Sequence, residues 1–427
     1  MKILIINTSD ISGGAARAAF RLHEALLQNS IDSQMLVADK KSDINSIITL
    51  SNKNMREKIW NKLDKIIRIV LNKLSLAKYK KTISNDLGPF SPQIGSNKKL
   101  VKIINKINPD IVHLHWICDG FLSIEDIAEI NAPIVWSLHD MWAFTGGCHL
   151  VADTSNVMCE KYTKDCGICD FLGSKKSKDL SFKVLRRKKK VFGKVKSMTI
   201  IGLSKWMQNC AKSSSAFANK RVVNVPNPIN TTIFNRFDMV LSRKLFNLPE
   251  NKKLILFGAV SAISTPYKGY DLLAEALSKM SSPNVEFVIF GSSEPENPPS
   301  LSCKTHYLGH LHDDITLVLL YNACNVMVVP SKRENLSNAI MESLSCGTPV
   351  VCFDIGGNSD MVNHKINGYL ARPFDTSDLV TGIDWVLNSE NYGELSKNAR
   401  EKIVREFGYS IVAKRYINLY EEILRNG

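Results

Sequence analysis

An α/β protein built from two doubly wound parallel sheets is what this sequence predicts, and three observations carry the prediction. Short, wholly apolar runs of strand length recur, and most are followed by a stretch of helical periodicity. The alternation pauses at Asn227-Pro228 and the loose run from Asn230 to Ser242, then restarts, as a linker between two such series would require. A glycine pair, Gly13-Gly14, stands at the first strand-to-helix turn.

The elements follow in order. "KILIINT" is a buried strand, and after the glycines Ala15, Ala19, Leu22, Ala25 and Leu26 fall at helical spacing. "SQMLVADK" is the next strand. Residues 54–78 read as a helix with Met55, Ile59, Leu63, Ile66, Ile67, Val70 and Leu74 on one face. "DIVHLHW" (110–116), "APIVWSLHD" (132–140), "SMTIIGLSKWM" (197–207) and "KRVVNVPNPI" (220–229) continue the first series. The second series runs "KLILFGAV" (253–260), "GYDLLAEALSKM" (269–280), "VEFVIFGS" (285–292), "LLYNAC" (319–324), "VMVVPS" (326–331), a helix after Ser337, and "PVVCFD" (349–354). From about Leu379 to Arg425 the pattern is helical only. The expected domains are 1–235, 236–405 and a last helix, 406–427, that crosses back to the first domain.

The 427 residues, 44% hydrophobic and 22% charged, suit a globular protein of two or three domains. No apolar run approaches the roughly 18 residues that cross a bilayer. "MKILIINTSD" reads as an opening strand rather than a signal peptide, so a cytoplasmic location is expected, with the ten cysteines reduced or metal-bound. The net charge of +14 is concentrated. Residues 53–81 carry ten Lys/Arg against Glu57 and Asp64, and residues 181–198 carry eight with no acid. Such clusters attract phosphate groups, as nucleic acid, anionic lipid or phosphorylated small molecules. Nucleic acid is not expected as a partner, because the basic runs lack interleaved stacking aromatics.

Open sheets of this kind bind ligands beyond the carboxyl ends of their strands. There, "PSKRENLSNAIMESLSCGTPVVCFDIGG" (330–357) places Glu334 in the loop after a strand. Ser337 is positioned to cap the next helix, Glu342 lies more than a turn into it, and Gly347 with Pro349 ends it. The free N–H groups of residues 337–340 attract an anion. A diphosphate there would sit between two carboxylates suited to sugar and ribose diols. On spacing alone, two solvated helix glutamates remain the alternative. Lys268 follows the first strand of the second series and is either a diphosphate-neutralising lysine or a surface one. Gly13-Gly14 gives either a close approach to a ligand or a plain tight turn.

His113 and His115 alternate with apolar residues and so share one face of a strand. A structural or acceptor-side role is favoured over a metal pair. His139-Asp140 ends another strand. Cys148, Cys159, Cys166 and Cys169, with one C-x-x-C, resemble a structural zinc knuckle in the loop 148–169; free thiols are the alternative. The helix at 54–78 either packs its apolar stripe on the core or, with Trp60 and its lysines, lies on an anionic membrane surface.

The stretch from Glu334 through Gly356-Gly357 resembles the signature of the family-4 retaining glycosyltransferases: Glu, seven residues, Glu, then Ser-Cys-Gly-x-Pro-Val-Val and a Gly-Gly turn. The likeness extends to "GG" at 13–14, "LHD" at 138–140, "VPNPINTTIF" at 225–234, "YKG" at 267–269 and "NGYLARPFD" at 367–375. It implies the GT-B fold, two Rossmann-like doubly wound domains facing a cleft. It implies transfer of a hexose from a nucleotide diphosphate sugar to a glycan acceptor, lipid-linked in surface-polysaccharide synthesis, with no cofactor for catalysis. By the resemblance Glu334 contacts the donor sugar, Glu342 the ribose and Lys268 the diphosphate. Gly13, Gly14, Arg333, Asn335, Leu336, Ser337 and Asn338 line the donor, and His139 faces its sugar from the first domain. His115 and Asp140 stand on the acceptor side. The family often adds a basic residue before the lysine; "GAVSAISTPYKG" has none, which leaves Arg333 or Lys332 to substitute, or one lysine to suffice. A similar cysteine set occurs in a surface-polysaccharide branch of the family. A nucleotide-sugar epimerase, a phosphorylase or a non-catalytic sugar-nucleotide-binding protein would use the same site.

Overall fold

The protein was analysed as a computed structural model that describes residues 1–426 apart from 51–54, 81, 83–87, 151–158, 259–262, 281–283, 297–300 and 312. Side chains of 55–58 and 60 are likewise outside the description. The expectations for Lys53, Met55, Arg56, Lys58, Trp60 and Lys81, and for 151–158 of the cysteine-rich loop, therefore lie outside the described residues.

The chain divides into two compact units, residues 1–227 with 413–427, and residues 228–412. The first contains β1 (Lys2–Ser9), α1 (Gly14–Gln28), β2 (Asp32–Asp39), β3 (Ile47–Thr49), α2 (Met55–Leu76), α3 (Lys98–Ile107), β4 (Ile111–Leu114), α4 (Ile124–Ile127), β5 (Ile134–Leu138), α5 (Leu180–Phe192), β6 (Met198–Gly202), α6 (Lys205–Ser213) and β7 (Arg221–Asn224). The second contains α7 (Met239–Leu245), β8 (Lys253–Gly258), α8 (Tyr270–Lys279), β9 (Val285–Phe290), β10 (Thr305–Tyr307), α9 (Asp314–Ala323), β11 (Val326–Val329), α10 (Asn338–Ser345), β12 (Val350–Phe353), α11 (Asn358–Met361), β13 (Gly368–Ala371), α12 (Thr376–Leu387) and α13 (Tyr392–Phe407). Helix α14 (Tyr409–Asn426) begins in the second unit and belongs to the first from Ala413 onward.

Both expected sheets are present. The first runs β3-β2-β1-β4-β5-β6-β7 and the second β10-β9-β8-β11-β12-β13, with every described pairing parallel. Each order reverses once, between β1 and β4 and between β8 and β11, and a doubly wound sheet offers its binding crevice at such a reversal. The central strands are buried on both faces, as helix-covered parallel strands must be. In β8, Leu254, Ile255 and Leu256 are all inaccessible, and Val326, Met327 and Val328 of β11 are the same. Three short strands, β3, β10 and β13, were not legible as strands; each is three or four residues long, and each sits at a sheet edge.

Two expectations about the basic segments change. The apolar stripe of α2 does not pack on the core: Ile59, Leu63, Ile66, Ile67, Val70, Leu71 and Leu74 are all exposed. The basic run at 181–198 is not one open cationic stripe either. Lys188 is fully buried, donating to the carbonyls of Trp142 and Thr145. Arg187 pairs with Glu125 at 2.7 Å and Lys189 with Asp165 at 3.4 Å.

Candidate functional site

In the second unit, the loops following β8 and β11 meet at the sheet's reversal point. The loop after β8 ends in Tyr267-Lys268-Gly269, and the loop after β11 runs from Pro330 to Ser337. The Lys332 N–H donates to the Tyr267 carbonyl at 2.8 Å, which ties the two loops together. Gly269 has φ +74°, and a Cβ there would stand 1.9 Å from the Pro330 carbonyl oxygen. Gly356, φ +53°, comes from the turn after β12, and its Cβ would stand 1.8 Å from the Glu334 carbonyl oxygen. Only glycine fits either position. The 330–334 backbone is thus held from both sides by residues that have no side chain.

That clamp sets two charged groups. Lys268 Nζ donates to Glu334 Oε2 at 3.1 Å, and both side chains are largely but not wholly withdrawn from water. Burial works against the lysine's charge, but the Glu334 carboxylate holds the ammonium above the ordinary lysine range. The pair is adjacent to the amino end of α10. Ser337 and Leu336 are buried, and Arg333, Asn335 and Asn338 are half-buried beside them. Lys332, one of the two candidates for a second diphosphate cation, is bound to Asp271 at 2.6 Å. Arg333, the other, lies in the same loop as Glu334.

Helix α10 differs from expectation at its start and not at its end. Ser337 occupies the N-cap position with extended backbone, but its side chain accepts no cap hydrogen bond. The Ser337 hydroxyl is therefore not a cap for the first N–H groups of α10. At the other end Gly347, φ +80°, and Thr348 donate to Leu344 and Ser343 at 3.0 and 2.9 Å, a Schellman closure. Glu342 lies mid-helix and is buried; Tyr321 of α9 donates to its Oε2 at 2.9 Å. Tyr321 was not singled out from the sequence, since only the fold brings α9 beside α10.

In the first unit, the residues nominated after β1, β4 and β5 also lie at strand ends flanking a reversal. Gly13 has φ +90°, is exposed, and precedes α1; open space surrounds the position of a Cβ. Gly14 opens the helix. The loop is fixed by Asp10, which the sequence reading passed over. It is inaccessible, and its carboxylate accepts from the N–H groups of Ile11, Lys41 and Ser42 at 2.8–2.9 Å. Burial opposes its ionisation, yet those donors hold the carboxyl below its usual range.

His115 and His139 are joined, Nδ1 to Nε2, at 2.8 Å. His113 packs at a tilt against His115 and uses both its nitrogens, on Tyr420 at 2.7 Å and Ser137 at 2.9 Å. Burial pushes His139 down to about 4 and His113 to about 3, and lowers His115 as well, so these rings are neutral near pH 7. Asp140 is taken up internally. Its carboxylate accepts from the Trp116 indole at 2.9 Å, His149 at 2.6 Å and the Trp142 N–H at 2.8 Å. That is a fastening role for the loop after β5, with His149 a partner that the sequence reading did not single out.

The zinc expectation finds no support among the described residues. Cys148, Cys159, Cys166 and Cys169 do line one pocket with Tyr162 and Phe171. Among the described residues, however, no three His, Cys, Asp or Glu side chains are grouped so as to hold a metal ion. Cys148 and Cys169 instead share a hydrogen bond, which lowers the second thiol and, with burial, raises the first. Burial pushes Cys166 up to about 12. His113 and His115, for which a structural or acceptor-side role was favoured over a metal pair, make their contacts with Tyr420, Ser137 and His139.

Known proteins place this geometry. Over its whole length the chain superposes on sucrose-phosphate synthase from Thermosynechococcus elongatus, with a TM-score of 0.67 at 18% identity and 100% of both chains covered. It covers 99% of its own length and all of Anabaena HepE, a structure in complex with UDP and glucose, at a TM-score of 0.64 and 15% identity. The fold is therefore that of the two-domain GT-B glycosyltransferases. Residues 241–403, which contain Lys268, Glu334 and Glu342, match the family model for glycosyl transferases group 1. An uncharacterized glycosyltransferase of Methanocaldococcus jannaschii is 28% identical over 221 residues, 47% of this chain and 56% of that protein. The N,N'-diacetylbacillosaminyl-diphospho-undecaprenol alpha-1,3-N-acetylgalactosaminyltransferase of Campylobacter jejuni is 28% identical over 187 residues, 42% of this chain and 48% of that protein. The chain thus spans about half the length of the curated relatives it matches.

Proposed function

We propose that this chain is a glycosyltransferase that moves a hexose from a nucleoside diphosphate sugar to a lipid-linked glycan, with retention at the anomeric carbon. The observation that carries the reading is the Lys268–Glu334 pair at the β8/β11 reversal, beside the amino end of α10. The family match over 241–403 and the undecaprenol-linked substrate named for the Campylobacter relative support it.

In this reading the second unit holds the donor. Its diphosphate lies at the amino end of α10, where the helix dipole and N–H groups that have no partner within the helix favour an anion. Lys268 turns from Glu334 to the diphosphate and offsets the charge that develops as the glycosidic bond breaks. Glu334, released, accepts hydrogen bonds from sugar hydroxyls, and Glu342 accepts from the ribose. Gly13-Gly14 and His139 belong to the first unit, which is read as the acceptor-binding domain with His115 on the acceptor side. The acceptor hydroxyl attacks the anomeric carbon on the face that the diphosphate leaves. Its proton passes to the departing phosphate oxygen, so no separate carboxylate nucleophile is needed. His139, neutral near pH 7, can donate or accept a hydrogen bond but carries no charge to the site.

The test is turnover. Purified protein is incubated with UDP- and GDP-hexoses and a polyprenyl-diphosphate-linked glycan, and products are read by mass spectrometry. The wild type forms a glycan one hexose longer, and Glu334→Ala loses that product by about two orders of magnitude with an unchanged circular dichroism spectrum. Turnover near wild type in Glu334→Ala would overturn the assignment.

A further inference from the structure

Helix α2 is mounted with its polar side inward. Arg68 is buried; its Nε donates to the Gly120 carbonyl at 2.6 Å, and its guanidinium pairs with Asp64. Asn72 exchanges two hydrogen bonds with the Ile94 backbone, at 2.9 and 3.1 Å. The mounting is built for Arg68. Gly95 and Gly120 both have positive φ, and a Cβ on either would come within 2.9 or 3.2 Å of the Arg68 side chain. An ordinary surface helix buries its apolar stripe and shows its charges to water. This one does the reverse.

The outward side is a single stripe. Ile59, Leu63, Ile66, Ile67, Val70, Leu71 and Leu74 recur at steps of three, four and one, and each is between 40% and 63% exposed. At 1.5 Å per residue the stripe is about 22 Å long. All seven are aliphatic. Lys62 and Lys73 lie by helical position along one edge, and both are exposed. Asp64, the one acid from Ile59 to Lys80, is paired with Arg68, so the segment offers no uncompensated negative charge. Lys78 and Lys80 extend the cationic character just past the helix and are exposed too.

We infer that this face of α2 docks the protein on an anionic lipid bilayer. A row of aliphatic side chains needs depth rather than shape from its partner, which the acyl boundary of a bilayer supplies. Lysines at the edge reach back to headgroup phosphates, and each adds attraction to a negative surface. The helix lies in the plane of the interface and does not cross it; among the described residues no helix is long and apolar enough to span a membrane. The inference stands apart from the transfer reading, since bilayer binding is measured without donor or acceptor.

The experiment is vesicle flotation of the full chain, with vesicles of phosphatidylcholine alone and with about one third phosphatidylglycerol. The wild type floats with the anionic vesicles. Ile67→Glu with Leu74→Glu loses at least about tenfold in binding. Both positions are exposed, so circular dichroism and melting temperature stay as in wild type. Lys62→Glu with Lys73→Glu leaves the stripe intact and still lowers anionic-vesicle binding by roughly tenfold or more. A wild type that does not float overturns the inference, as does a folded Ile67→Glu/Leu74→Glu variant that floats equally well. So does a wild-type dimer that this variant dissociates while neither protein binds vesicles, which would make the stripe a contact between two copies.

Discussion

Gly269→Ala tests whether the loop clamp, rather than any single charge, makes the site. The methyl group would stand 1.9 Å from the Pro330 carbonyl oxygen, and real Cβ atoms essentially never come within 3.0 Å of such a neighbour. The loop after β11 must then retreat by about 1.1 Å. The left-handed backbone adds about 1–2 kcal/mol for any residue with a Cβ. At about 2–4 °C per kcal/mol for a unit of this size, the melting temperature should fall by roughly 2–8 °C, well short of unfolding at 25 °C. A displacement of about 1 Å in a catalytic loop costs on the order of 100-fold in rate. The assay is hexose transfer at 25 °C beside a thermal melt. Gly393→Ala is the control: Gly393 lies in the first turn of α13 with open space about its Cβ position and no positive φ, so turnover should be unchanged. Gly269→Ala turning over within about twofold of wild type would refute the clamp, since the loop shift alone predicts a far larger loss.

Two further outcomes follow from buried groups. His113 and His139 are held at about 3 and about 4, against an ordinary value of 6.5, so from pH 6.5 downward the unfolded chain binds protons that the folded chain refuses. Stability is therefore full above about pH 6.5 and is lost as the pH falls toward 4, by up to about 1.4 kcal/mol per unit for each ring. Urea midpoints at pH 7.5 and 5 measure this, and His113→Gln should flatten the difference. Tyr321→Phe removes a donor from the buried Glu342 carboxylate and should cost about 1.5–3 kcal/mol in a urea titration. An unchanged midpoint would mean that the hydroxyl does not hold that carboxylate in solution.

The two sheets were legible because parallel strands covered on both faces are written as continuous apolar runs, as in "KILIINT" and "VMVVPS". The edge strands β3, β10 and β13 were not, since three or four residues leave too short a run to read. Lys268, Glu334 and Glu342 could be nominated from spacing and resemblance, but not the reasons for their placement. Gly269 and Gly356 approach carbonyls 61 and 22 residues away in the chain, at Pro330 and Glu334. Local sequence signals the glycine and not its neighbour. The Ser337 cap was expected from residue type, whereas the hydroxyl forms no cap bond. Cysteine spacing suggested a closed metal set; the fold brings the four thiols to one pocket, where Cys148 and Cys169 share a hydrogen bond. For α2 the periodicity was plain, but periodicity cannot say which side faces the protein. That was decided by Arg68 and Asn72, whose partners at Gly120 and Ile94 lie in loops 52 and 22 residues further along the chain.

Isothermal calorimetry of the intact protein with UDP, GDP and ADP, repeated on Lys268→Met, bears most directly on the donor site. Saturable one-to-one heat with one of the nucleotides, weakened at least about tenfold in the variant, is the predicted result. Equal affinity in the two proteins, or no heat with any of the three, would contradict it.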